Sequence, residues 1–213
     1  MIEIFRISWL FPLAYLLGSI PTAVWVGKIF FKIDVREHGS GNAGATNVMR
    51  VLGVKTGVPV LLVDMLKGWF AVYLVHFQKV IETGNETWMI ISILLGIFAV
   101  IGHIFPIFAG FRGGKGVATI AGVCISLHPL ATVSALGVFI IVLLIWKYVS
   151  LGSIVAGISF PVWVILVFQS DYISLWIFSG IAAALLGATH HANIKRLLKG
   201  EENVASFLFK KKN

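Results

Sequence analysis

Three stretches of the chain gather residue types that can hold an anion. The first is Glu37-His38-Gly39-Ser40-Gly41-Asn42-Ala43-Gly44-Ala45-Thr46-Asn47-Val48-Met49-Arg50. Its glycines at 39, 41 and 44 let backbone amides turn toward one point. Ser40, Asn42, Thr46 and Asn47 add neutral hydrogen bonds, and Arg50 can fork onto two phosphate oxygens. Taken alone, the same residues also make a plain polar connecting loop. The second stretch runs from Gly102-His103 to Thr119 and contains Gly113-Gly114-Lys115-Gly116 at the start of an apolar helix. Bare amides, a helix N-terminus and one ammonium form a cradle suited to a phosphate group. This is not a nucleotide P-loop, which requires G-x-x-x-x-G-K-[ST] after a strand, because Gly116 follows Lys115. A basic turn at a membrane surface is the plainer alternative. In the third stretch, His190 to Glu202, helical spacing puts His190, Asn193 and Leu197 on one face. Lys195, Arg196 and Lys199 there can equally hold a helix end to anionic lipid.

Two further polar features lie inside apolar runs. Asp64 and Lys67 are three residues apart and share a helical face, which reads as a structural ion pair. His103, at the end of its run, fits a functional group or a packing hydrogen bonder equally well.

The elements that position these clusters must be membrane helices. Of 213 residues, 58% are hydrophobic and 12% charged, and the mean hydropathy is +0.95. Soluble domains carry roughly a quarter charged residues, so a soluble enzyme is excluded and the lipid bilayer is the expected surroundings. One crossing takes about 20 residues, which leaves room for a single membrane domain over 1–213 and little else. Apolar runs predict an all-α protein with about seven transmembrane helices, near 4–31, 53–79, 87–105, 115–128, 129–148, 151–169 and 173–190. Only His128-Pro129 separates the fourth from the fifth.

Lys and Arg are retained on the cytoplasmic side of a membrane. An outside N-terminus and a cytoplasmic C-terminus put Lys32, Arg36, Arg50, Lys55, Arg112, Lys115, Lys147, Lys195, Arg196, Lys199 and Lys210 to Lys212 inside, against only Arg6 and Lys79 outside. All three polar clusters then share the cytoplasmic face. The net charge of +8 does not point to nucleic acid, because the aromatics lie within apolar runs. The lone Cys124 allows no intramolecular disulfide, and the histidines lack metal-ligand spacing, so no metal is expected. The chain start lacks the basic region and cleavage site of a secretory signal and reads as a retained first span. The clusters together describe a site for one or two phosphate groups. A transporter of a small phosphorylated anion would also want such a site, but near the midplane, with polar residues continuing to the outer face.

Four motifs carry a resemblance over nearly the whole chain: Gly18-Ser19-Ile20-Pro21; Ser40 to Asn47 with Arg50; Gly102-His103 through Phe111 with Gly113-Gly114-Lys115-Gly116-Val117-Ala118-Thr119; and His190-x-x-Asn193-Ile194-x-Arg196-Leu197-x-x-Gly200-x-Glu202. On these the sequence resembles the bacterial acyl-phosphate:glycerol-3-phosphate acyltransferases, the PlsY family. The resemblance implies a seven-helix enzyme of the cell inner membrane with its site on the cytoplasmic face. It implies transfer of a fatty acyl group from acyl phosphate to the 1-hydroxyl of glycerol 3-phosphate, giving lysophosphatidic acid and inorganic phosphate, with no cofactor. This would be the first acylation step of phospholipid synthesis.

By position, the resemblance implies Ser40 and Arg50 as essential residues and Gly113, Gly114, Lys115 and Gly116 as the glycerol 3-phosphate loop. It likewise implies His190 and Asn193 as site residues and Glu202 as a structural carboxylate. Asn42, Thr46 and Asn47 are expected to bind substrate beside them, and the family's site serine falls on Ser153, or else Ser150. An acyl phosphate is already activated, so positioning and oxyanion stabilisation suffice. The donor's own phosphate oxygen can accept the hydroxyl proton, with His190 as the alternative base.

Overall fold

The computed structural model describes residues 7–78 and 81–209. Arg6, Lys79 and Lys210 to Lys212, which entered the charge asymmetry, lie outside the described residues. Contacts divide the chain into two compact units, Met1–Leu127 and His128–Asn213.

In the first unit, α1 (Leu10–Gly18) and α2 (Thr22–Phe31) form one apolar run bent by 44°. Pro21 causes the break. Its ring has no N–H to donate and restricts the residue before it, and with φ −89° and ψ 67° it makes an inverse γ-turn in which Thr22 N–H donates to the Ile20 carbonyl at 3.0 Å. The expected first span near 4–31 is therefore a bent pair.

A loop leads to α3 (Ala45–Leu52), then α4 (Val54–Tyr73), α5 (Glu86–Ile104) and α6 (Val117–Leu127). Asn85 caps α5 by accepting from Trp88 N–H at 2.8 Å, with Glu86 suiting the positive helix end. Glycines let these helices meet backbone to backbone. A Cβ on Gly18 would fall on the Ala99 carbonyl of α5, and one on Gly102 would fall on the Tyr15 carbonyl of α1. Gly68 of α4 lies against the Thr119 carbonyl, and Gly122 of α6 against that of Met65. Leu10, Ala14, Ala71, Val75, Leu95 and Ala99 form the core between α1, α4 and α5. A second cluster, with Val35, Val48 and Val60, sits under the loop before α3. Leu62, Leu66 and Phe70 of α4 point outward and exposed, as a lipid-facing surface requires.

The second unit holds α7 (Pro129–Trp146), α8 (Val149–Val162), α9 (Ile173–Thr189), α10 (His191–Leu198) and α11 (Ser206–Phe209). His128 caps α7 by accepting from Ala131 N–H at Nδ1, 3.2 Å away, and Pro129 suits the first helical position. A π-turn, Trp163–Val167, prolongs α8. The α9–α10 pair bends by 61°. After Gly200 the chain returns to α7, where Ala205 N–H donates to the Lys147 carbonyl at 2.8 Å.

The protein is thus all-helical and multi-pass. Among the described residues, four helical segments, Val54–Phe77, Glu86–Ala109, Pro129–Trp146 and Val149–Val167, are long and apolar enough to cross a bilayer, and counting each bent pair as one span raises the number to six. The run expected as a span at 115–128 folds as the 11-residue α6, about 16 Å long and roughly half of a crossing. It is short because Gly116, at φ +79°, belongs to the loop before it and His128 to the cap after it.

Candidate active site

The first polar cluster is a loop pinned from below. Asp34 opens a single 3₁₀ turn, Val35–Glu37, accepting from Arg36 N–H at 3.0 Å. The Arg36 side chain then grips the same carboxylate twice, Nε to Oδ1 at 2.9 Å and Nη2 to Oδ2 at 2.7 Å. This hydrogen-bonded guanidinium holds the Asp34 carboxyl well below the usual carboxylate range. Gly39 and Gly41 turn the chain at φ +62° and +72°.

Asn47, on the first turn of α3, is 1% exposed. Its Oδ1 accepts from Ser40 N–H at 2.8 Å and from Ser40 Oγ at 3.1 Å, while Nδ2 donates to the carbonyls of Val35 at 2.8 Å and His38 at 3.0 Å. Both hydrogens and the acceptor oxygen are engaged, so the amide shapes the loop and holds Ser40 at the surface. Ser40 is exposed, and Asn42, Thr46 and Arg50 are half-buried. The Arg50 stem passes Gly39, its Cδ 3.5 Å from where a Cβ would stand.

The second cluster folds back on the end of α5. Gly113 N–H donates to the Ile104 carbonyl at 3.1 Å and Gly114 N–H to the His103 carbonyl at 3.2 Å. Two of the amides expected to face a phosphate are therefore engaged in closing the loop. The N-terminus of α6, whose first-turn amides have no acceptor within the helix, remains directed at the loop. Lys115 is half-buried beside it.

The two loops are joined. Arg36 Nη1 donates to the carbonyls of Ala109 at 2.9 Å and Arg112 at 3.2 Å. Gly114 also sits where a Cβ would be 3.0 Å from the Ala43 carbonyl. Arg36 contributes to the cytoplasmic positive charge, and no motif marks it as a site residue. Its one local signal is the Asp34-x-Arg36 spacing, because its other partners lie more than seventy residues on.

Beneath the loops, Asp64 and Lys67 form the expected buried pair at 2.8 Å. Asp64 Oδ1 also accepts from Thr22 Oγ1 at 3.1 Å, and Lys67 Nζ donates to the Ile20 carbonyl at 2.9 Å. His103 Nδ1 lies 3.0 Å from Thr119 Oγ1 and 3.8 Å from Asp64 Oδ1.

The third cluster is in the second unit. His190 sits at the α9–α10 bend rather than within a helix, and its Nδ1 donates to the Leu186 carbonyl at 2.8 Å, with the Thr189 hydroxyl 3.4 Å away. Asn193 Nδ2 donates to Glu202 Oε1 at 2.9 Å, and Arg196 Nε to Oε2 at 2.9 Å. Glu202 thereby ties the segment after Gly200 to α10. Ser153 and Ser150 are both buried. Ser153 Oγ donates to the Val149 carbonyl at 2.9 Å, whereas Ser150 Oγ has no hydrogen-bond partner among the described residues.

Comparison with known proteins places this geometry. Residues 8–200 match the family model for glycerol-3-phosphate acyltransferase. The glycerol-3-phosphate acyltransferase of Listeria monocytogenes serovar 1/2a is 47% identical over 190 residues, covering 89% of this chain and 92% of its own. That of Chlorobaculum parvum is 44% identical over 220 residues, covering 91% and 94%. The crystal structure of PlsY, an integral membrane glycerol 3-phosphate acyltransferase, in its glycerol 3-phosphate form superposes with a TM-score of 0.82 at 37% identity, covering 96% of this chain and 100% of that one. Its lysophosphatidic acid form gives 0.81 with the same identity and coverage. The chain belongs to the glycerol-3-phosphate acyltransferase family and is an integral membrane enzyme.

Proposed function

We propose that the acyl donor is an acyl phosphate, attacked by the 1-hydroxyl of glycerol 3-phosphate to give lysophosphatidic acid and inorganic phosphate, at the cytoplasmic face of the cell inner membrane. The observation that carries this reading is the Arg36 bridge, which holds the Ser40 loop against the Gly113–Gly116 loop. Arg50 and Lys115 then belong to one surface with two phosphate-bearing ligands to hold. The PlsY forms with glycerol 3-phosphate and lysophosphatidic acid support the acceptor and the product. The face follows from the Lys and Arg asymmetry of the loops.

The acceptor oxygen bonds to the acyl carbon as the acyl–phosphate bond breaks, and its proton passes to the departing phosphate. Lys115 and Arg50 stabilise the charge on that phosphate, and Ser40, Asn42 and Thr46 orient the polar ends. Asn47 acts through Ser40. Asn193, Ser153 and, as the alternative base, His190 are assigned on motif position, with Glu202 fixing Asn193.

The test is phosphate release by detergent-purified protein given palmitoyl phosphate and glycerol 3-phosphate, with palmitoyl-CoA and K115A as controls. Release should need both substrates, fail with the thioester and vanish in K115A. Turnover with palmitoyl-CoA alone as donor would replace the acyl phosphate, and silence of folded protein with either donor would remove the assignment. An H190Q enzyme with near-normal turnover and a flat pH profile would eliminate His190 as the base.

A further inference from the structure

We infer that His103 is a positioning residue for the glycerol 3-phosphate loop, setting Gly114 and hence Lys115 from beneath. The inference deepens the reading above and rests on it for the identity of the ligand. His103 is buried at the end of α5, 6% exposed, and meets the loop in two ways. Its carbonyl accepts from Gly114 N–H at 3.2 Å, and its imidazole Nε2 fills the space that a Gly114 side chain would need. The carbonyl contact survives any substitution at 103, whereas the ring contact does not. The ring is itself held, because its Nδ1 edge lies against Thr119 Oγ1 on the first turn of α6, the helix that the loop opens.

The imidazole therefore touches both ends of the segment Gly114–Thr119, which contains Lys115. Behind it stand Asp64 Oδ1 at 3.8 Å and, on Asp64, the ammonium of Lys67 and the hydroxyl of Thr22. These groups come from α2 and α4, so the ring is braced by two further helices. Gly114 has a matching requirement. Any Cβ there meets the ring on one side and the Ala43 carbonyl, at 3.0 Å, on the other. Ring and glycine form a complementary pair, and disturbing either moves the loop by the same route.

Complementarity of this kind is read by a double-mutant cycle. Wild type, H103A, G114A and H103A/G114A are purified as full chains in detergent, and kcat and the KM for glycerol 3-phosphate are measured at saturating palmitoyl phosphate. G114A should raise KM by roughly tenfold or more, since misplacing a binding group by about 1 Å costs up to a hundredfold. H103A should raise it less. The double variant should bind no worse than G114A, because removing the ring makes room for the new methyl. A double variant whose KM shift equals the product of the two single shifts overturns the inference.

T119V, which keeps the ring and removes its partner, guards against misfolding of H103A and should shift KM in the same direction with kcat less affected. Hydrogen exchange of the amides of residues 110–116 supplies a readout independent of turnover. H103A and T119V should accelerate it, and unchanged exchange in both excludes the positioning role. If wild type releases no phosphate, the reaction assignment fails while hydrogen exchange still decides on His103.

Discussion

The side-chain oxygen of Asn47 accepts from both the backbone amide and the hydroxyl of Ser40, at 2.8 and 3.1 Å. One buried atom thus fixes the exposed serine's position and the direction of its O–H. N47A should lose activity and stability together, because it removes the four side-chain hydrogen bonds that shape the loop, each contributing about 0.5–1.5 kcal/mol. S40A should lose activity while melting within about a degree of wild type, as expected for an exposed position. Thermal melts in detergent beside phosphate-release assays separate the two, and an N47A protein that melts like wild type would contradict the assignment.

Arg36 tests the bridge between the loops. R36K keeps the charge but cannot reach Asp34 and the carbonyls of Ala109 and Arg112 at once. Both R36K and R36A should raise the KM for glycerol 3-phosphate, by roughly tenfold for R36A. Wild-type kinetics in R36K would show that charge alone suffices.

The Asp34–Arg36 pair has a signed pH consequence. Its guanidinium partner lowers the Asp34 carboxyl from the ordinary 3.8, so the unfolded chain takes up the proton first as pH falls. The stabilisation is complete above about pH 4 to 5 and is lost as pH drops toward the lower folded-state value. Wild type and D34N should differ by a constant melting temperature through neutral pH and converge only in the acid range. Convergence already between pH 8 and 6 would exclude Asp34 as the titrating group.

The Glu202 carboxylate accepts from two side chains, Asn193 and Arg196, and the proposed structural role makes it testable by stability. E202A should lower stability by about 1–3 kcal/mol by removing the hydrogen bonds from Asn193 and Arg196, seen first as a reduced yield of folded protein and a lower melting temperature. E202Q, which keeps an acceptor for Asn193, should recover part of both. An E202A enzyme of normal stability but lost turnover would move Glu202 into the reaction itself.

Much of the architecture was legible because apolar run length and helix length are the same quantity in a bilayer. The runs near 53–79 and 87–105 became α4 and α5 with their short extensions. Hydropathy could not mark the bend at Pro21 or the shortness of α6, since Ile20 and Val117 are as apolar as their neighbours. Local dihedrals decide both. In the candidate site, glycine and amide content pointed to two loops, and both stretches fold as loops, but that content could not show which polar atoms would be used in holding them. Asn47 is the clearest case. Its type suits a ligand, and only the fold shows the carbonyls of Val35 and His38 within its reach. Arg36 was illegible for the opposite reason, because two of its acceptors are backbone atoms, which carry no sequence signature.

The turn at Pro21 does more than redirect a helix. By holding the Ile20 carbonyl out of the ordinary helical ladder, it provides an acceptor for the ammonium of Lys67, which in turn neutralises Asp64. Straightening α1 and α2 into one rod would take one of its two acceptors from that buried ammonium, and replacing Lys67 would leave the buried carboxylate with the Thr22 hydroxyl but without its counter-charge. The bend, the ammonium and the carboxylate therefore form one chain of dependence, in which a backbone turn supplies part of the solvation of a buried ion pair.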